Sequence, residues 1–188
     1  MDTYDAIARR VSTRAFQDRP VPREAIARLL DAAVRAPNHK LTEPWRFAVL
    51  TGASRDRYAE ARRAHRATKF DDPAAPAAAK AIEKTYREAR DTPAFVVVMC
   101  AVSDDAVGRE EDLASAWMAV QNLCTVATAD GLGTYVRTGG ILEDGDVKRI
   151  VRLPTGHRII AVISLGYPAE EQPPRRRTPA SEQTVWLE

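Results

Sequence analysis

Apolar residues recur every three to four positions over residues 22–35, where Ile26, Leu29, Leu30, Ala33 and Val34 share one face behind Pro22. That spacing predicts an amphipathic helix with proline at its start, stopped before Pro37. The same period returns over residues 109–130 through Leu113, Trp117, Val120, Leu123, Cys124 and Ala127, and Gly131 closes it as the residue past the cap. Shorter helical patterns cover residues 3–10, 54–69 (capped by Ser54), 80–90 and 144–152. Between them the pattern changes. "AFVVVMCAV", residues 94–102, is an unbroken apolar run with three consecutive valines, which suits a strand buried on both faces. Residues 45–51, 132–138 and 157–166 read as further strands. "FDDPAAPAAA", residues 70–79, reads as a connection and as the segment most open to motion or insertion. Helices and strands interleave, so the expected fold is an α/β or α+β layered domain around a central sheet.

With 188 residues the chain suits one domain, placed over residues 1–170. Residues 171–188 hold prolines and arginines and end in an apolar "TVWL", so they either fray or dock on a second subunit. A net charge of +2 makes no case for a nucleic-acid or membrane partner, and no apolar run reaches spanning length. Cys100 and Cys124 form no CxxC pair and read as reduced, buried thiols of a cytoplasmic protein. The three histidines lack metal-site spacing, and neither G-x-S-x-G nor a P-loop occurs.

Three stretches carry chemistry. In "RRVSTRAF", residues 9–16, Arg10, Ser12 and Arg14 alternate, and in extended geometry alternate side chains point one way. Two guanidinium groups and a hydroxyl suit a phosphate, although spacing alone favours a solvated charged loop. In "RAPNHKLTEPWRF", residues 35–47, Arg35 ends a helix and His39 follows in a loop bracketed by Pro37 and Pro44. A rigid loop of this kind can hold polar atoms against a planar ligand; a plain surface loop is the alternative. "GLGTYVRTGG", residues 131–140, has a G-x-G after a helix, which excludes the dinucleotide fingerprint. Arg137 and Thr138 fall at a strand end, where Gly139 and Gly140 would let a ligand approach the backbone.

Taken in order, these stretches resemble the FMN-dependent nitroreductase family, in its compact branch of about 180 residues. "RRVSTRAF" resembles the opening R-x-S-x-[RK]-x-F signature, "APNHKLTEPWRF" the loop ending in Pro-Trp, and "ISLGYPAEE" the late strand followed by G-Y-P. The resemblance implies a nitroreductase-like α/β/α fold with a central mixed sheet, in an intertwined homodimer with FMN at the interface. It implies hydride transfer from NAD(P)H through FMN to nitroaromatics, quinones or similar acceptors, with no catalytic acid. By position, Arg10, Val11 (through its backbone), Ser12 and Arg14 would hold the flavin phosphate and ribityl chain. Arg35 and His39 would reach it in part from the neighbouring subunit, and Val136, Arg137, Thr138 and Gly139 would lie along the ring or phosphate. Arg175 and Arg177 match a phosphate-binding pair of longer relatives. Two positions depart from the family pattern: Val11 replaces a basic or imidazole residue, and Glu43 a glutamine. Dehalogenation or flavin breakdown on the same fold, and a non-enzymatic binding module, are the competing readings.

Overall fold

The longest apolar run forms the middle of the sheet. In the computed structural model, which describes residues 1–187, β2 (Ala94–Ala101) lies between β1 (Trp45–Leu50) and β4 (His157–Gly166), and β3 (Gly133–Arg137) completes the order β1-β2-β4-β3. All strand pairs are antiparallel. The parallel component of the expected mixed sheet is a single bridge, Ser12 to Thr134, on the outer edge of β3.

Alternation along β2 explains why it is apolar throughout. Val96, Val98 and Cys100 face one cluster with α2 (Arg23–Ala33) and α5 (Ala106–Ala129), including Leu29, Val120 and Leu123. Phe95, Val97 and Met99 face the opposite cluster with Tyr58 and Ala61 of α3 (Gly52–Ala67), Ala89 of α4 (Pro76–Arg90) and Val147 of α6 (Gly145–Ile150). Helices therefore cover both faces, in the three layers expected. Tyr58 meets Phe95 edge-on at 4.8 Å, an arrangement aromatic pairs prefer.

The termini of the helices account for where the boundaries differ from expectation. α4 starts at Pro76 rather than Lys80, because proline is preset for the first helical turn. Thr51, not Ser54, caps α3; Ser54 sits at the third helical position and its Oγ accepts from Thr51 N at 3.0 Å. α5 begins at Ala106 under the Asp105 carboxylate, and Gly131, at φ 75°, follows its C-cap as expected. α1 (Thr3–Arg9) lies against α5. Beyond Ala169, every described hydrogen bond is local to the arm, and Val185, Trp186 and Leu187 are exposed. Among the described residues no helix is long and apolar enough to cross a membrane.

Candidate functional site

Two of the three sequence stretches meet at the outer edge of β3. Thr13 N donates to Thr134 O at 2.9 Å, and Ala169 N donates to Ala15 O at 3.0 Å, so residues 13–17 are held between β3 and the exit from β4. The approach is so close that only glycine fits at position 133: a Cβ there would lie 2.5 Å from Thr13 Oγ1. Arg14 and Arg137 both lie over the Tyr135 ring, at 5.7 and 4.4 Å from its centroid. Arg10 is on the α5 side of this edge, close enough to Cys124 for its charge to favour the thiolate against the larger effect of burial, which pushes that thiol up. Arg10, Ser12 and Arg14 thus straddle the strand edge. Among the described residues neither Arg10 nor Arg14 has a carboxylate within ion-pair reach.

Arg137 points into the α3/α4 layer. Its Nε donates to Ser164 Oγ at 3.2 Å and its Nη2 lies 3.8 Å from Glu88 Oε2, leaving the side chain 18% exposed. Burial lowers its pKa, the nearby charge of Arg62 lowers it further, and Glu88 opposes both. Tyr58 OH and Arg62 Nη1 are buried with no hydrogen-bond partner among the described residues. Val136 faces the other way and packs on the α5 core, while Val11 is half-buried. Thr138 and Gly139 are exposed beyond the strand end, and Gly139 sits at φ 103°, a conformation glycine adopts without strain.

Beside Arg14 opens a groove of about 570 Å³, lined on one wall by Arg14, Ala15 and Phe16 and on the other by α4, from Lys80 to Thr92. This size suits a small-molecule ligand. The sequence reading missed α4, Tyr135 and Arg62. The signal for Arg62 was present: it lies four residues after Tyr58, the inward position of α3.

The third stretch lies elsewhere. Arg35 and His39 are exposed at the far edge of the sheet, in the connection leading to β1. Trp45 registers with Cys100, whereas Thr134 registers with Leu165 and through it with Ala94. The two regions are therefore about 14 Å apart across the strands and roughly 20 Å apart along them. Helix α5 links them: Asp112 binds the loop, and Cys124 lies near Arg10, about 18 Å further along. The loop is strained, with Lys40, Leu41 and Glu43 all at positive φ (53°, 54° and 44°). Thr42 Oγ1 donates to Asp112 Oδ1 at 2.7 Å and Glu43 N donates to Asn38 Oδ1 at 3.0 Å, which hold it. Among the described residues the side chains of Arg35, His39 and Glu43 make no ion pair with the rest of the chain. Arg175 and Arg177 are exposed on the arm, and no group of three His, Cys, Asp or Glu among the described residues could hold a metal.

Chemically, the β3 edge offers excess guanidinium charge beside an aromatic ring and an open groove. That suits an anionic ligand with a flat ring system. A family model, described as the Nitroreductase family, matches residues 7–167. The chain is 31% identical over 179 residues to YfhC of Bacillus subtilis, provisionally named an NAD(P)H nitroreductase, covering 93% of this chain and 89% of that one. A nitroreductase-like family protein from Bacillus cereus superposes with a TM-score of 0.83 at 27% identity, covering 100% of this chain and 97% of the other. NfnB from a Sphigopyxis strain, described as an FMN- and NADPH-dependent nitroreductase, shares the fold at a TM-score of 0.81 and 21% identity, with both chains covered in full.

Proposed function

The chain belongs to the nitroreductase family, and from that premise we propose that it is an NAD(P)H-dependent FMN oxidoreductase acting on nitroaromatics, quinones or similar acceptors. The observation that carries this reading is the charge at the β3 edge, where among the described residues Arg10 and Arg14 have no ion-pair partner and Arg14 lies over Tyr135 and lines the groove. The residues present fit a phosphorylated flavin: guanidinium forks and the Ser12 hydroxyl suit its phosphate, and the groove of about 570 Å³ has the volume of a small-molecule site.

Bound there, FMN supplies the two-electron carrier between a nicotinamide donor and an oxidised acceptor. Arg10 and Ser12 anchor the phosphate. Arg14 would help hold the phosphate and ribityl chain, and its permanent positive charge would favour an anionic ligand without reorganisation. Arg137, braced by Ser164 and Glu88, keeps the β3 end rigid so that the backbone of Val136, Thr138 and Gly139 can line the ring. No side chain need donate a proton, since an exposed acceptor is protonated by water.

Arg35 and His39 complete the site from a second copy of the chain. The distance between the two regions within one chain supports this, because one copy cannot close both around a ligand. Trp117 and Met118 on the outer side of α5 are exposed apolar surface for that contact. The arm, residues 171–188, docks on the partner, bringing Arg175 and Arg177 toward its phosphate. Two free, buried cysteines suit the reducing cytoplasm.

The test is the absorption spectrum of the purified protein, identification of the released chromophore, and NADPH and NADH oxidation with a nitroaromatic. A yellow protein releasing FMN and turning over either donor is expected. A colourless protein that takes up no FMN, or absence of turnover with both donors, overturns the reading.

A further inference from the structure

The groove beside Arg14 runs along α4. It follows α4 from Thr92 back to Lys80, a run of roughly 16 Å at the helical rise, so it extends well past the Arg14 end. Its charges sort into two groups. At the Arg14 end, Glu88 is engaged by Arg137 at 3.8 Å. In the middle, Glu83 is taken by Arg87 at 2.7 Å. Asp91 caps the C-terminal end of α4 and also lines the groove. That leaves Lys80 and Lys84 at the far end.

These two ammonium groups lie one turn apart on the same helix face, a like-charge spacing that slightly destabilises a helix. The carboxylates able to relieve them are Glu83, three residues after Lys80, and Glu88, four residues after Lys84. Both are committed to arginines. Among the described residues neither lysine has an ion-pair partner. A strip with Ala15 and Phe16 on one wall, charges of both signs at its Arg14 end and a separate cationic end suits an elongated ligand with a phosphate remote from its reacting ring.

We propose that Lys80 and Lys84 bind the 2′-phosphate of the electron donor, so that the enzyme selects NADPH over NADH. The inference rests on the oxidoreductase reading above and adds the donor's identity to it. The negative charge that separates the two donors falls on the lysine pair, whereas the nicotinamide end, common to both, lies toward Arg14. The lysines contribute binding and no chemistry, so their removal acts on KM and leaves kcat alone.

The experiment uses the flavin-loaded protein and its Lys80→Gln/Lys84→Gln variant. Steady-state kinetics are run with NADPH and NADH, and 2′,5′-ADP and 5′-AMP binding are measured by titration calorimetry. The native protein is expected to bind 2′,5′-ADP at least tenfold more tightly than 5′-AMP and to favour NADPH in kcat/KM. The variant should raise KM for NADPH about tenfold, keep kcat and flavin content, leave KM for NADH within twofold, and lose the preference for 2′,5′-ADP. Equal use of both donors by the native protein, or a double variant that still selects NADPH, overturns the phosphate site and leaves the oxidoreductase reading intact. Absence of turnover with both donors, while 2′,5′-ADP still binds in a lysine-dependent way, overturns the oxidoreductase reading and leaves the phosphate site standing.

Discussion

Gly133→Ala tests whether the close contact between residues 12–14 and β3 builds the site. The new Cβ would lie 2.5 Å from Thr13 Oγ1 and 2.8 Å from both Cβ and Cγ2 of Thr13, against the 3.4 Å at which ordinary contact begins. The segments must separate by about 0.6–0.9 Å to restore ordinary packing. Thr13 cannot simply swing away, because it is 3% exposed and its N–H is bonded to Thr134 O at 2.9 Å. Overpacking of this kind costs about 1–3 kcal/mol. At about 2 kcal/mol, a chain of this length should melt roughly 4–8 °C lower. The displaced segment carries Arg14 off Tyr135, so FMN retention should fall with stability. Thermal melting and flavin content per chain measure the two effects. The companion variant Thr13→Gly removes all three clashing atoms. In Thr13→Gly/Gly133→Ala the loss should be smaller than the sum of the single losses by at least about 1 kcal/mol. A Gly133→Ala protein that melts within about 1 °C of the native one, or a double variant whose loss is strictly additive, would refute the argument.

The remaining expectations are smaller. Tyr58→Phe removes a buried hydroxyl that has no partner, so stability by urea titration should stay within about 0.5 kcal/mol; a loss above about 1.5 kcal/mol would show that the hydroxyl is bonded. Burial pushes the Cys100 thiol from 9.0 up to about 11, so the folded state favours the neutral thiol. Its contribution is complete below pH 9 and is lost as pH rises to 11, on the order of 2–3 kcal/mol. The urea midpoint should therefore fall between pH 8.5 and 11 (about the span of the shift) and fall less in Cys100→Ala; an identical slope in the variant would count against this. Thr42→Val leaves the buried Asp112 carboxylate without its donor, at a cost of about 1–3 kcal/mol, and should speed tryptic cleavage at Lys40; unchanged cleavage would mean that the loop is held by other contacts.

The apolar pattern was enough to find the four strands and the α-helices, but not always the buried face: in α1 Tyr4 and Ile7 are exposed and Ala6 is buried instead, Trp117 of α5 is partly exposed, and the short 3-10 turn His39–Leu41 has no apolar period to reveal it. Residues 94–102 could be read as a doubly covered strand since nothing polar interrupts them. Sheet order was not legible, because pairing partners are chosen by contacts far apart in sequence. Nor was the positive φ at Lys40, Leu41 and Glu43: these residue types do not favour that conformation, and tertiary bonds to Asp112 and Asn38 hold it. The Arg10 and Arg137 stretches were singled out separately, and only the folded contacts, such as the backbone bond from Thr13 to Thr134, show them to be neighbours. Arg62 was lost among the arginines of α3, where composition hides which one turns inward. The role of α4 was invisible for a related reason: an amphipathic helix has two faces, and periodicity identifies only the buried one.

Placing Arg10 and Arg14 at one edge of the sheet and Arg35 and His39 at the other has a genetic consequence. If a second copy completes the site as proposed, each reaction centre would draw one half from either chain. A chain damaged at Arg10 and a chain damaged at Arg35 would each be inactive alone. Co-expressed, they would pair at random, and each mixed pair would hold one centre with both halves intact and one with both broken. About a quarter of native activity should then return from two dead alleles, and the pattern of complementation would map the half-sites without any further structure.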